Sequence, residues 1–163
     1  MESNLNHRLQ FSDMKDKFFI MAGPNVIESE EHALSMARAL KDIMSEFPQI
    51  VYIFKTSFDK ANRTSLNSYR GPGLEEGIRI LRKIRDEVGV PIVTDIHEPW
   101  QAPLLADVVD VLQVPAFLCR QTELLRAVAE TDCIIHVKKG QFLPAKAMHK
   151  CREKIQQFGN DKV

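Results

Sequence analysis

Cysteine is scarce in this chain. Cys119, Cys133 and Cys151 make three, an odd number at spacings that match no metal-binding pattern, and they read as reduced thiols of a cytosolic protein. No apolar run approaches membrane-spanning length. The opening Met1-Glu2-Ser3-Asn4 lacks the pattern of a signal peptide, so a cytoplasmic location is expected. Net charge is absent too. Lys+Arg and Asp+Glu balance at 22 each, which argues against a generally basic nucleic-acid surface. Trp100 and the other aromatics are not interleaved with basic residues, as a single-strand binder would require. Finally, no glycine-rich dinucleotide fingerprint follows the first apolar segment, which weakens a Rossmann reading.

What remains is enough for a core. At 163 residues and 44% hydrophobic content, one folded domain is the expectation. Residues 1–17 are polar and irregular and read as a loosely held arm. Residues 18–163 then alternate. Phe18–Ala22, Ile50–Lys55, Pro91–Asp95, Val109–Gln113 and Ile134–Lys138 read as strands. Between and after them come helical patterns. One starts beyond Ser29 and stops before Pro48, one runs from Leu74 to Gly89 with Leu74, Gly77, Ile78, Leu81, Ile84 and Val88 inward, and others cover Trp100–Ala106 and Glu123–Ala129. The last turns Met148, Cys151, Ile155 and Phe158 inward and stops at Gly159.

Five β-α units in strict order predict an α/β protein whose parallel sheet is covered by helices. The near-continuous apolar strands agree with burial on both faces. Periodicity alone fits either an open sheet or a barrel.

The strand ends favour the barrel. Each strand is apolar until its last residues and then turns polar, at Asn25 just past the first, then Lys55, Asp95, Gln113 and Lys138. Polar groups at the carboxyl ends of parallel strands converge on the rim where a (β/α)8 barrel does its chemistry.

The richest of these ends is Lys55 to Ser65. Its eleven residues hold three cations, one carboxylate, one amide and four hydroxyls, a set suited to phosphate oxygens. A solvated loop can have this composition as well; the other strand ends tip the balance toward a gripping loop. Lys55, Lys60, Arg63, Arg120, Lys138 and Lys139 bring six cations to this end of the strands in a chain of zero net charge. Such a cluster repels itself unless anions occupy it, so two phosphorylated substrates are expected. Lys139 faces the opposite way from Lys138 and is the one most readily read as solvated.

Asp95 can orient a hydroxyl, serve as an acid-base partner, or simply balance the lysines. His97 and Glu98 are nearly adjacent on a loop, a poor arrangement for a metal. Gln113 can donate to a carboxylate or phosphate, and Phe117 can be a wall or a subunit contact. Asn25 is neutral and can hold a water or a reacting oxygen. Cys119 has no histidine close in sequence and reads as a buried small side chain rather than a nucleophile. His136 is expected to pack inside its strand.

At these residues the sequence resembles the 3-deoxy-D-manno-octulosonate 8-phosphate (KDO 8-phosphate) synthases. The segments that carry the resemblance are Gly23 to Ser29, Lys55 to Ser65, Ser68 to Gly73, Ile92 to Glu98, Gln113 to Thr122 and Val137 to Phe142, in the family's order. The heptulosonate-phosphate synthases of aromatic biosynthesis share the barrel and the phosphoenolpyruvate chemistry, but carry a shorter Lys-Pro-Arg-type motif at the second strand.

The resemblance implies a transferase of lipopolysaccharide biosynthesis that condenses phosphoenolpyruvate with D-arabinose 5-phosphate. Carried over by motif, Lys55, Lys60, Gln113, Ala116 and Lys138 would hold phosphoenolpyruvate. Asn62, Arg63 and Thr64 would hold the pentose phosphate, with Ser57 in the same loop, Phe117 beside the site and Arg120 reaching a phosphate. Asn25, Lys60, Asp95 and Lys138 would stand closest to the reacting atoms. The metal-dependent branch of the family has Cys where this chain has Asn25, so no cofactor is implied. A homotetramer is expected by the same resemblance.

A (β/α)8 barrel typically takes about 250 residues, and five units are present here. An incomplete barrel is therefore expected, with the first and fifth strands as open edges. The 163 residues alone are expected to aggregate, or to pair with a second copy or the missing portion. The alternatives are a heptulosonate-phosphate synthase using erythrose 4-phosphate, or a non-catalytic half-barrel that binds phosphorylated ligands or a partner.

Overall fold

The computed structural model describes residues 8–163. The chain divides into two compact units, Met1–Val93 and Thr94–Val163.

The first unit opens with a short helix, α1 (Phe11–Met14), in the stretch expected to be irregular, and Leu9 beside it is buried. Strand β1 (Phe19–Ala22) follows, then helix α2 (Glu30–Ser45), strand β2 (Val51–Lys55), helix α3 (Leu74–Val88) and the start of β3 (Ile92–Asp95). The strands are parallel: Phe19 to Ala22 lie opposite Val51 to Phe54, while Phe54 and Lys55 lie opposite Ile92 and Val93. Parallel neighbours need a crossover between them, and the two helices supply it.

Both helices begin or end where local chemistry says they should. The Ser29 hydroxyl accepts from the His32 N–H at 3.1 Å, capping α2 ahead of Glu30 and Glu31. Gly89 ends α3 in the left-handed conformation, φ 67°, and its N–H donates to the Ile84 and Arg85 carbonyls. Ala33, Leu34 and Ala37 of α2 are buried, as are Gly77, Ile80, Leu81, Ile84 and Val88 of α3. Ile78, expected on the inner face, is only half-buried, and Ile80 takes its place. Outside this seam Glu30 pairs with both Arg79 and Lys83, and Arg38 reaches Glu87 at 2.8 Å.

The second unit holds the end of β3, helix α4 (Gln101–Ala106), strand β4 (Val111–Val114), helix α5 (Thr122–Ala129), strand β5 (Ile134–Val137) and helix α6 (Met148–Gln157). Strands β4 and β5 are parallel, with Val111 to Val114 opposite Ile134 to Val137, and the Ile96 N–H donates to the Gln113 carbonyl at 3.1 Å. All of β3 and β4 is buried, which explains their unbroken apolar sequence. Strand β4 starts two residues later than the apolar run suggests. Val108 and Val109 still donate to the Leu105 carbonyl, at 2.8 and 3.0 Å, as the chain leaves α4.

Along α6, Cys151 and Ile155 are buried, and the Arg126 guanidinium of α5 lies 4.8 Å above the Phe158 ring. Strand β5, expected to be an open edge, is partly covered. The Ile135 N–H donates to the Lys162 carbonyl at 2.7 Å, and Asn160 fixes that tail by donating to the Thr131 and Cys133 carbonyls at 3.0 and 3.1 Å. Among the described residues no helix is long and apolar enough to cross a membrane.

Candidate active site

In the first unit the ends of β1 and β2 are laid directly on one another. A methyl group at Gly23 would sit 2.1 Å from the Lys55 carbonyl oxygen, so only glycine lets the turn that carries Asn25 come this close. The Tyr52 hydroxyl donates to the Ala22 carbonyl at 3.1 Å, and burial pushes its pKa well above the ordinary tyrosine value. The Ile27 N–H donates to the Ser57 carbonyl at 3.0 Å. Asn25 itself is exposed, and Lys55 is half-buried at the end of its strand.

Beyond β2 the backbone stays inside for three residues, with Thr56, Ser57 and Phe58 all buried. The Lys60 ammonium turns back to donate to the Ser57 hydroxyl at 2.7 Å. Asn62, Arg63 and Thr64 then stand exposed on the loop that follows. Its two ends meet again where the Lys60 N–H donates to the Arg70 carbonyl at 2.6 Å and the Gly73 N–H to the Phe58 carbonyl at 3.2 Å.

Arg63 is steered by its Nε, which donates to the Tyr69 carbonyl at 3.3 Å. The Tyr69 hydroxyl reaches the Ile27 and Glu28 carbonyls at 3.0 and 3.5 Å. Val26, Glu28, Arg63, Ser68 and Tyr69 line a pocket of about 560 Å³. Asp59, the carboxylate of the Lys55–Ser65 segment, is held by Arg70 from outside it, and the segment carries three cations to this one carboxylate. A segment of this sign, with hydroxyl and amide donors beside it, suits a phosphate group.

In the second unit Asp95 ends β3 almost fully buried, and His97 Nε2 lies 3.4 Å from its Oδ2. Gln101 shapes the loop here: its side-chain oxygen accepts from the N–H groups of His97 and Glu98, at 2.8 and 3.1 Å. Gln113 is buried inside β4 rather than at its last position. Ala116 and Phe117 lie in the single 3-10 turn after β4, with Phe117 exposed.

Gly140 presses on this turn, since a methyl group there would come 3.1 Å from the Ala116 carbonyl oxygen. The Lys138 N–H donates to the Val114 carbonyl at 3.0 Å, fixing the backbone just past β5, while its side chain is exposed. Lys139, read from the sequence as solvated, is exposed, but its ammonium is tied to the backbone and donates to the Gly140 and Leu143 carbonyls at 2.9 and 3.0 Å. Arg120 is exposed.

Cys119, Cys133 and Cys151 are all buried, and none of them is joined in a disulfide. Burial raises the Cys151 pKa, and neighbouring Cys119 raises it further, so Cys151 lacks the character of an activated nucleophile. Among the described residues, no three His, Cys, Asp or Glu side chains gather as a metal site would require.

The structure thus groups Lys55, Ser57, Lys60, Asn62, Arg63 and Thr64 in one unit, and Asp95, Gln113, Ala116, Phe117, Arg120 and Lys138 in the other. The Asp59–Arg70 pairing and the contacts of Tyr69 are not legible in the sequence, although Ser68 to Gly73 is among the segments that carry the resemblance. Their signal is the lone carboxylate Asp59 and the Tyr69-Arg70-Gly71 run, which acquires meaning only once the loop closes on itself.

Five strand-helix units on parallel strands, with a cation-rich loop after β2, put the chain in the class of α/β folds to which the (β/α)8 barrel belongs. A model of the DAHP synthetase I family matches residues 10–163, and the chain belongs to that family. It is 55% identical over 147 residues to a 2-dehydro-3-deoxyphosphooctonate aldolase from Koribacter versatilis, covering 90% of this chain and 52% of that protein. A protein of the same name from Pisum sativum is 54% identical over 148 residues, 91% of this chain and 51% of its own length. One from Arabidopsis thaliana, 2-dehydro-3-deoxyphosphooctonate aldolase 1, is 53% identical over the same length and shares. The chain spans about half the length of these curated relatives.

Proposed function

We propose that the protein joins phosphoenolpyruvate to D-arabinose 5-phosphate, forming 3-deoxy-D-manno-octulosonate 8-phosphate and inorganic phosphate. The observation that carries this reading is the shared name of relatives 53–55% identical across about nine-tenths of the chain. The cation-rich loop after β2 supports it independently of any name.

The reaction balances simply. C3 of the enol phosphate attacks the aldehyde carbon, and the aldehyde oxygen takes up a proton. Water adds at C2, and phosphate leaves from the resulting tetrahedral centre. Charge grows on oxygen at each stage, so fixed ammonium and amide donors stabilise it more than they stabilise the reactants. Two polyanions must also be brought together, and positive side chains offset their repulsion.

Lys55, Lys60, Gln113, Ala116 and Lys138 hold phosphoenolpyruvate in this reading. Asn62, Arg63 and Thr64 hold the pentose phosphate, with Ser57, Phe117 and Arg120 contributing to the same site. Asp95 serves the reacting carbons and Asn25 a reacting oxygen or water. No metal takes part, the location is cytoplasmic, and the working form is a homotetramer.

Phosphate release from phosphoenolpyruvate tests the reading. It should require arabinose 5-phosphate, survive chelators and fall by about 100-fold or more in Lys138→Ala. Activity with erythrose 4-phosphate in place of the pentose would assign the heptulosonate-phosphate reaction instead. Binding of phosphoenolpyruvate with no turnover of either sugar would leave a ligand-binding role alone.

A further inference from the structure

The ion pair between Asp59 and Arg70 sits where the phosphate loop leaves β2 and returns to α3. Arg70 Nε meets Asp59 Oδ1 at 2.8 Å, and Nη2 meets Oδ2 at 2.5 Å. Arg70 is 54% exposed and Asp59 20%. A pair this open to solvent contributes little to global stability, yet its two-point geometry fixes direction as well as distance.

What it fixes is the frame of the loop. Asp59 immediately precedes Lys60, and the Lys60 N–H donates to the carbonyl of Arg70 itself at 2.6 Å. On the other side, Tyr69 precedes Arg70 and its carbonyl accepts from Arg63. The neighbouring Gly71 has φ 125°, and a methyl group there would lie 2.2 Å from the Phe58 carbonyl oxygen. Both strands of the loop base are therefore pressed together, with the bidentate pair across them.

We propose that Asp59 and Arg70 are positioning residues, a clamp that closes the loop base at Lys60 and so presents Arg63 in the place required to grip a phosphorylated sugar. This rests on the proposed condensation for the identity of the sugar phosphate, but not for the clamp. A competing role for Asp59, neutralising nearby lysines, predicts the opposite consequence of its removal.

The test compares Asp59→Asn and Arg70→Lys with the unaltered protein, expressed from its full reading frame. Arg70→Lys keeps the charge and loses the two-point contact. The clamp predicts that both variants raise KM for arabinose 5-phosphate about tenfold, with kcat changed by less than about threefold. It also predicts faster hydrogen exchange at the Lys60 amide in both. Charge neutralisation predicts that Asp59→Asn tightens sugar phosphate binding and that Arg70→Lys is silent, and that result overturns the clamp. So does unchanged exchange at Lys60 in both variants. If the unaltered protein does not turn over arabinose 5-phosphate while exchange still accelerates, the proposed reaction falls and the clamp stands.

Discussion

The ammonium of Lys60 donates to the hydroxyl of Ser57 across 2.7 Å, in a segment where Ser57 is fully buried and Lys60 half-exposed. A lysine stem has four rotatable bonds, and a buried partner three residues back removes much of that freedom before any substrate arrives. Preorganised donors cost nothing further to orient when charge develops beside them.

Ser57→Ala should therefore leave the fold intact and raise KM for phosphoenolpyruvate several-fold, roughly three to ten. Lys60→Met should lower kcat/KM by about 100-fold or more, because the charge itself is lost. Steady-state kinetics at saturating arabinose 5-phosphate checks both. A silent Ser57→Ala variant would mean that Lys60 is positioned by other contacts.

Gly71→Ala should be more damaging than its size suggests. The residue has φ 125°, and the added carbon would meet the Phe58 carbonyl oxygen at 2.2 Å, a backbone atom that cannot swing aside. The loop base must open to admit it. Weaker arabinose 5-phosphate binding by calorimetry, about tenfold or more, is the expected outcome, accompanied by a drop in thermal midpoint. Gly73 is the internal control: its φ is 87°, but nothing lies within 4 Å of the added carbon. Gly73→Ala carries the backbone strain without the collision.

How much of this was legible in the sequence depended on how local each cause is. Ser29 and Gly89 mark the start of α2 and the end of α3 because capping is decided within a few residues. The parallel class followed from strand runs apolar enough for two-sided burial. The start of β4 was misjudged because Val108 and Val109 are as apolar and as buried as a strand, although their N–H groups still bond back to Leu105. The inner face of α3 was read with Ile78 in place of Ile80, a phase error of the kind that an apolar row at 77, 78, 80, 81 and 84 invites. Lys55, Lys60 and Arg63 were singled out as candidates because the composition of their segment is unusual. Arg70 was not, because its partner lies eleven residues away and only loop closure brings them together.

Acid should loosen the first unit through Glu30. Its carboxyl is held below the ordinary value of 4.5, first by the hydrogen bond from Lys83 and then by that from Arg79. A depressed carboxylate contributes stability that is fully present above its unfolded pKa and is lost as pH falls through the folded one. The α2–α3 seam should thus weaken as pH drops below 4.5. Urea unfolding of Glu30→Gln against the unaltered protein checks the sign: the variant should be the less stable at neutral pH, and the gap should close as pH falls below 4.5. A gap that widens in acid would show that the ion pairs are not its cause.

The formation of the new carbon–carbon bond is the most direct measurement of all. Phosphoenolpyruvate labelled with carbon-13 at C3, incubated with arabinose 5-phosphate and the protein, should yield a product whose labelled carbon is bonded to the former aldehyde carbon of the pentose. One inorganic phosphate should appear for each bond made, and Lys138→Ala should suppress both together. Label that stays in phosphoenolpyruvate, or passes into pyruvate without joining the sugar, would contradict the account.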